Sequence, residues 1–319
     1  MDAGNRRVWR ASPATLAAVV VFMVAAAVPV PLLAYVIWSD DRGWVTPALL
    51  ATLSLVALGY AWRFGLHPRL RADRAGVTVV NPFSTSRFTW EDLRVIAPGE
   101  NGLVLATPDA RAEAWCIQKS NLAARKGRMT RADKITSELF ELLEEHDPPL
   151  EDEETGLRIR RARPDESRVL TRLERAASEE ALQHLFPPDR YPYPVAEVNR
   201  RWRRLLRDPQ TRVVVLEKDG EPVGFVAFDT STVRHLGVLP DHTRRGYGSA
   251  LLEFAATAIF EDGATSAGLW VLEGNTAARA FYRSLGWTET SELRSSEFPP
   301  RPTELRLERR NPAAPRRGR

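Results

Sequence analysis

The sequence is short of cysteine and of lysine. A single thiol, Cys116, in 319 residues excludes an internal disulfide and a thiolate zinc site, and it fits a reducing compartment. Only Lys119, Lys126, Lys134 and Lys218 are lysines among 45 basic side chains, so the basic character is arginine, as a GC-rich coding bias produces. The formal net charge of +4 is too small to imply nucleic-acid binding. No internal repeat is present, and the length leaves room for two domains.

What the chain has instead is uncharged length near its start. Residues 14–38 and 44–62 carry no charged side chain. Each can cross a hydrocarbon core of ~30 Å at ~1.5 Å per residue. Pro29 and Pro31 kink the first run, and Trp38, Trp44, Tyr60 and Trp62 fall near the run ends, as interfacial aromatics do. The loop 39–43 is too short for anything but a hairpin. Arg6, Arg7 and Arg10 precede the pair, and Arg63, Arg69, Arg71 and Arg74 follow it, which places both ends on the cytoplasmic side. A cleaved signal peptide is disfavoured because the first run is too long and a second follows at once. A buried soluble helical hairpin is the remaining alternative. The expectation is a multi-pass protein of the cytoplasmic membrane with a hairpin over 1–65, and with both termini and both soluble domains in the cytoplasm.

Residues 66–146 show short strand patterns separated by turn signals, then a helix from about Thr130 with Asp133 three residues on as a capping partner. Ile135, Leu139, Leu142 and Leu143 form its apolar stripe. Residues 147–156 are acidic and proline-bearing and read as an exposed linker. Residues 157–308 then read as strand, two helices, hairpin, strand, glycine loop and helix. The second helix, around 196–207, turns Val198, Trp202, Leu205 and Leu206 inward and Arg200, Arg201, Arg203, Arg204 and Arg207 mostly outward. Residues 309–319 form a basic tail, whose charges would each gain ~1 kcal/mol near an anionic leaflet.

Two motifs carry the chemistry. In the first, an apolar strand through Leu236, Gly237 and Val238 leads to the loop Thr243, Arg244, Arg245, Gly246, Tyr247, Gly248 and Ser249, and then to an amphipathic helix. Glycines permit close backbone approach, and unpaired N–H groups at the helix start favour an anion such as a pyrophosphate. The second motif is another apolar strand, Asn275 at a helix start, then Ala278, Phe281, Tyr282 and the sequence Gly286-Trp287. In order and spacing the pair resembles the GNAT acetyltransferase superfamily, over roughly 157–308. The family's loop reads Q/R-x-x-G-x-G/A; here the first position is Thr243, while Arg244 and Arg245 keep the loop basic. Residues 66–146, with the Ala75-Gly76-Val77-Thr78-Val79 and Trp90-Glu91-Asp92-Leu93 segments, resemble bacterial PH-like domains found after a two-helix membrane hairpin. That resemblance leaves lipid binding, protein binding, and a packing or oligomerisation role open.

The resemblance implies an α+β domain with a mixed, mostly antiparallel sheet. It implies direct acetyl transfer from acetyl-CoA, as cosubstrate and without a metal, to a primary amine on a small molecule or protein. The loop would cradle the pyrophosphate, Leu236, Gly237 and Val238 would line the pantetheine arm, and Asn275 would sit near the cofactor. Tyr282 matches the position where the family often keeps a tyrosine that protonates or hydrogen-bonds the departing sulfur. His235, Glu273 and Asp229 are the candidate bases. The segment 185–194, rich in aromatics and proline, would wall the acceptor pocket. The expected partners are acetyl-CoA, the amine and a lipid bilayer; a homo-oligomer is open. The alternative function is an acetyl-CoA-sensing or interaction module without turnover.

Overall fold

In the computed structural model, which describes residues 7–27, 35–36, 45–118 and 129–314, the chain forms two units, Met1–Asp147 and Pro148–Arg319. The first unit begins with strand β1 (Arg7–Trp9), followed by helix α1 (Pro13–Ala27). Ser12 starts the helix by accepting the Thr15 N–H at 3.1 Å, with Pro13 at the first helical position. Helix α2 (Val45–Ala61) continues into a π-helical turn (Trp62–Leu66), closed by the His67 N–H donating to the Trp62 carbonyl at 2.9 Å. The two helices pack on each other, and a Cβ at Gly65 would lie 2.6 Å from Val19 Cγ1, so only glycine lets them meet there. Their remaining surface is apolar and exposed, with Phe22, Leu53, Leu55 and Val56 turned outward.

Ala48–Leu66, 19 residues, is the one helix among the described residues long and apolar enough to cross a membrane. The expected first span, 14–38, is described as helix only over Pro13–Ala27 and at Tyr35 and Val36; the rest lies outside the described residues. The two-span expectation is therefore not confirmed: one helix has the length and composition for it.

Strands β2 (Arg69–Asp73), β3 (Gly76–Val80) and β4 (Thr85–Phe88) follow, and the sheet order is β1-β2-β3-β4, all antiparallel. A second sheet holds β5 (Val95–Pro98), β6 (Leu103–Ala106) and β7 (Arg111–Ala114). Asn81 links the two sheets, donating from Nδ2 to the Glu113 carbonyl at 2.8 Å and accepting the Trp115 N–H at 3.2 Å. Helix α3 (Arg131–His146) packs against this β module behind the expected capping box, with Thr130 accepting the Asp133 N–H and Asp133 accepting the Thr130 N–H. Ile135, Leu139, Leu142 and Leu143 all enter the core, with Leu70, Val79, Leu93 and Leu103. Cys116 is buried there, and burial pushes its thiol up to about 11, an inert packing residue.

One element escapes the sequence reading. β1 precedes the apolar helices yet pairs with β2 (Arg7↔Ala72, Trp9↔Leu70), so the helical hairpin is an insertion between neighbouring strands of one sheet. Trp9 packs on the core and donates from Nε1 to Glu138 on α3 at 2.8 Å. Trp9→Ala is expected to destabilise this unit by about 2–3 kcal/mol, less than a fully buried tryptophan because the ring is partly exposed. Denaturant unfolding followed on this unit checks it; an unchanged midpoint would mean β1 is peripheral.

The second unit carries an eight-stranded sheet in the order β14-β15-β13-β12-β11-β10-β9-β8. Its elements are β8 (Leu150–Asp152), β9 (Leu157–Arg161), α4 (Ser167–Ser178), α5 (Val195–Leu205), β10 (Arg212–Lys218), β11 (Glu221–Phe228) and β12 (Thr232–Val238). After them come α6 (Tyr247–Glu261), β13 (Ser266–Leu272), α7 (Thr276–Ser284), β14 (Thr288–Ser295) and β15 (Thr303–Arg310). β12 and β13 are the parallel pair; every other pairing is antiparallel. Part of the expected linker is therefore edge strand: β8 pairs with β9 through a turn at Gly156, where φ is +65°, although all three β8 residues are exposed. Its acidic residues sit on an unburied edge, which is why composition alone reads as a tether. Helix α6 packs on one face of the sheet through Leu251, Leu252, Ala255 and Ile259. Helices α4 and α5 pack on the other through Leu170, Leu173, Val198 and Trp202.

Candidate active site

The parallel pair at the centre of the sheet does not stay paired. β12 and β13 meet at Thr232↔Gly268 and Val233↔Leu269, and beyond these positions they are no longer paired. Residues 234–238 therefore keep the backbone edge that faces β13 unpaired, although their other edge is held by β11. A backbone edge of this kind can hydrogen-bond an extended amide-bearing chain.

At the end of β12 the chain makes a 3-10 turn (Pro240–His242) and enters the glycine loop. Thr243, the departure from the family's loop pattern, is engaged locally: its hydroxyl donates to the Pro240 carbonyl at 2.8 Å, and its N–H to the same oxygen at 3.1 Å. Arg244 takes φ +59° and Gly246 φ +85°, two left-handed residues that swing the chain into α6. Among the described residues, the N–H groups of 244–249 have no acceptor; the first helix bond is Ala250 N–H to the Gly246 carbonyl. Gly246 is required by its backbone angle. Gly248 is not: a Cβ there would stand 3.4 Å from the Phe281 ring, an ordinary contact. The absence of a side chain at 248 thus has no cause within the chain, and a closely approaching ligand supplies one. Loop and α7 are neighbours through this Gly248–Phe281 approach.

Helix α7 starts at Asn275, whose Oδ1 accepts the Ala278 N–H at 3.1 Å. In its last turn, Tyr282 is half-buried, with its ring 5.3 Å from Phe281 and 6.5 Å from Trp287. Burial pushes the Tyr282 phenol up to about 12. Among the described residues it has no hydrogen-bond partner within the chain, so its O–H is available to a ligand.

Tyr282, Asn275, Leu236 and His235 share one cleft of about 1710 Å³ with Glu174 and Tyr193. The expected acceptor wall is there too, with Phe186, Pro188, Tyr191 and Pro192 on the lining. Glu273 is not brought in. Its carboxylate is exposed, and its backbone carbonyl accepts from Arg279. Asp229 borders the cleft but is occupied, accepting the Ser231 and Thr232 N–H groups at 2.8 Å each and pairing with Arg234 at 2.8 Å. His235 lies 5.4 Å from the Trp202 ring; burial, and then Arg201, Arg234 and Arg294, hold its pKa well below the usual imidazole value. A ring that resists protonation is a poor proton acceptor at neutral pH, which argues against His235 as the base.

The cleft contains a cluster the sequence did not reveal. Arg201 is 9% exposed, not outward as the helix pattern suggests. It donates to Glu174 on α4 at 2.5 Å and to Glu297, after β14, at 3.1 Å. Trp202 Nε1 donates to the other Glu174 oxygen at 2.7 Å. The reason is that Arg201 needs a carboxylate to enter the interior, and Glu174 comes from a helix distant in sequence. Glu174→Ala is expected to cost about 2–3 kcal/mol, because it strands two buried donors at once. Thermal unfolding checks it, and a loss below about 1 kcal/mol would show the cluster to be non-structural.

Comparison with known proteins bears on this arrangement. Residues 176–287 match the model of the acetyltransferase (GNAT) family, and residues 67–116 match that of a bacterial PH domain. An N-acetyltransferase of Archaeoglobus fulgidus, described as uncharacterized, is 36% identical over 99 residues, covering 28% of this chain and 67% of that protein. The [ribosomal protein bS18]-alanine N-acetyltransferase of Escherichia coli is 34% identical over 88 residues, 26% of this chain and 59% of that protein, so the match spans about three-fifths of its length. The crystal structure of the Escherichia coli ribosomal-protein-S18-alanine N-acetyltransferase superposes with a TM-score of 0.40 at 20% identity, covering 51% of this chain and 99% of that one. An N-acetyltransferase of Thermoplasma acidophilum, solved in complex with coenzyme A, gives 0.38 at 15% identity, covering 49% and 99%.

Proposed function

The chain belongs to the GNAT acetyltransferase family, and on that premise we propose that its second unit moves an acetyl group from acetyl-CoA directly to a primary amine, at the inner face of a membrane. The observations that carry the transfer are the unpaired N–H groups at 244–249, next to α7 through the Gly248–Phe281 approach, and the cleft that holds Leu236 on the open edge of β12 together with the Tyr282 phenol. The residues fit the cosubstrate. The loop N–H groups and the start of α6 would hold the pyrophosphate. The β12 edge at Leu236, Gly237 and Val238 would pair with the pantetheine amides. Acetyl-CoA, when bound, supplies the acetyl group and departs as its thiol.

The amine nitrogen attacks the thioester carbon, the carbon–sulfur bond breaks, and the sulfur keeps the electron pair. Tyr282 stands to donate a hydrogen bond to that sulfur. With a phenol near 12 against a thiol near ~8.5, complete proton transfer from Tyr282 is uphill, so its role is to stabilise the developing thiolate. The proton lost by the nitrogen passes to water, and water returns one to the thiolate, so the cosubstrate leaves as its thiol. His235, Glu273 and Asp229 are all poorly disposed as bases. That favours an α-amine acceptor, since a group near ~8 is neutral about a tenth of the time at pH 7, whereas a lysine near ~10.4 almost never is. The Escherichia coli relative, named for an alanine of a ribosomal protein, is consistent with that class.

Two features of the first unit support the membrane reading with two spans and both ends on one side. α1 and α2 are sheathed in exposed apolar side chains. Strands β1 and β2, which flank them, are hydrogen-bonded neighbours. A single crossing would leave those strands on opposite faces of the bilayer, so their pairing favours two crossings over one.

The test uses the full chain in detergent micelles. Titration calorimetry with acetyl-CoA is followed by thiol release with a peptide bearing a free N-terminus, the same peptide acetylated but carrying a lysine, and a small diamine. Binding with fastest release on the free N-terminus is expected. Tight binding with no release on any amine would make the domain an acetyl-CoA sensor. A reporter fused after Arg319 is expected to read as cytoplasmic; an external reading would remove the chain from its cosubstrate.

A further inference from the structure

Strand direction places several surface aromatics at one end of the first unit. β2 leaves the π-helical turn at Leu66, and β3 returns antiparallel to it with Arg69 opposite Val80. The β3–β4 turn at 81–84 therefore lies at the end of the sheet from which the helices emerge. The side chains agree with the register: Phe83 at the tip stacks edge-on against Phe64 at 5.2 Å, Phe64 stacks on Tyr60 at 4.2 Å, and the Arg63 guanidinium lies 5.5 Å from the Phe83 ring centre. Trp115 is drawn to the same end by its N–H bond to Asn81. Phe83 is 74% exposed and Trp115 is 46% exposed, and neither belongs to the core.

A phenylalanine three-quarters exposed on a turn gains little from burial in water. Here it continues the apolar surface of a helix that is itself long enough to span a bilayer, with an arginine beside it. Exposed aromatics next to a guanidinium at the end of an apolar helix match the chemistry of the headgroup layer, where rings sit at the glycerol level and cations meet phosphates. We propose that this rim, Phe83 with Trp115 and Arg63, is a second membrane contact: the β3–β4 turn dips into the interfacial layer of the bilayer that the helices enter and fixes the tilt of the β module against it. The inference rests on the membrane reading above. The occupant is the phospholipid interface, because the rim is continuous with the helix surface.

The test places an environment-sensitive fluorophore on single cysteines at Phe83, Leu55 and Ala75, in full-length protein with Cys116→Ala, reconstituted in phosphatidylethanolamine–phosphatidylglycerol vesicles. Leu55 is an exposed position within α2, and Ala75 lies in the β2–β3 turn at the opposite end of the sheet. Quenchers are carried at the headgroup or deep in the acyl chain. The expected result is headgroup-level quenching at 83 several-fold stronger than at 75, with deep quenching at 55. Quenching at 83 no greater than at 75, while 55 is quenched, would overturn the rim and leave the hairpin in the membrane. Absence of quenching at 55 as well would overturn both. The Phe83→Cys change removes an exposed ring, so folding is not at stake. Attaching the fluorophore at Trp115→Cys instead provides an independent reading of the same rim.

Discussion

Gly246→Trp is expected to weaken acetyl-CoA binding by about a hundredfold or more, a loss of about 2.7 kcal/mol, while the second unit stays folded. Two terms act on the variant, and they are separable. A non-glycine residue at φ +85° costs about 1–2 kcal/mol of stability whatever its side chain. The side chain itself meets nothing of the protein, since no atom lies within 4 Å of its first carbon. The side chain therefore leaves the backbone without a clash at its first carbon, beside the loop N–H groups where a ligand would bind. Gly246→Ala carries the strain without the bulk. Calorimetry with acetyl-CoA beside thermal unfolding should show the two variants melting alike, a few degrees low, with only tryptophan abolishing binding. Equal affinities for Gly246→Trp and the unaltered chain would mean that the pyrophosphate is held elsewhere.

Tyr282→Phe is expected to lower turnover between about ten- and a hundredfold, a barrier increase of roughly 1.4–2.7 kcal/mol, with acetyl-CoA affinity unchanged. The effect is confined to turnover because the phenol's partner exists only as the carbon–sulfur bond lengthens. The pH profile adds a second signature. The raised phenol stays protonated until about pH 12, so it introduces no falling limb in the accessible alkaline range. Turnover should rise with pH through the pKa of the acceptor amine and then level, in both proteins. An alkaline decline near pH 9 in the unaltered enzyme that is absent from Tyr282→Phe would show that Tyr282 titrates in an environment unlike the one described. Unchanged turnover would reduce it to packing between Phe281 and Trp287.

The two motifs that point to the chemistry are legible because their causes are local. Gly246 reports a left-handed turn, Asn275 a helix cap, and Tyr282 its place on a short helix. The mixed, mostly antiparallel sheet is what the resemblance carried by those motifs implies, and the structure has it. What stays hidden has causes distant in sequence. The parting of β12 and β13 is a relation between strands with α6 between them: the family resemblance implies it, and neither strand by itself records it. The Glu174–Arg201–Glu297 cluster joins three segments, so an arginine in a run of arginines reads as solvated until its carboxylates are located. His235 is a titratable residue on a strand by sequence, and only its burial and the arginines around it show that its pKa is held well below the usual imidazole value. β1 is three residues without a pattern, made a strand by a partner that lies beyond both apolar helices.

That last pairing has a use in protein design. Because β1 and β2 are adjacent and antiparallel, the strands they present are the two arms of a hairpin whose loop happens to be the apolar segment. Exchanging residues 11–68 for an Asn-Gly dipeptide would leave Trp9 opposite Leu70 and join the arms by a two-residue turn of the geometry such arms prefer. The remainder would keep every strand of the original β module and an intact second unit. Comparing its kinetics with those of the parent would isolate what the apolar segment contributes to the reaction from what the acetyltransferase fold performs alone.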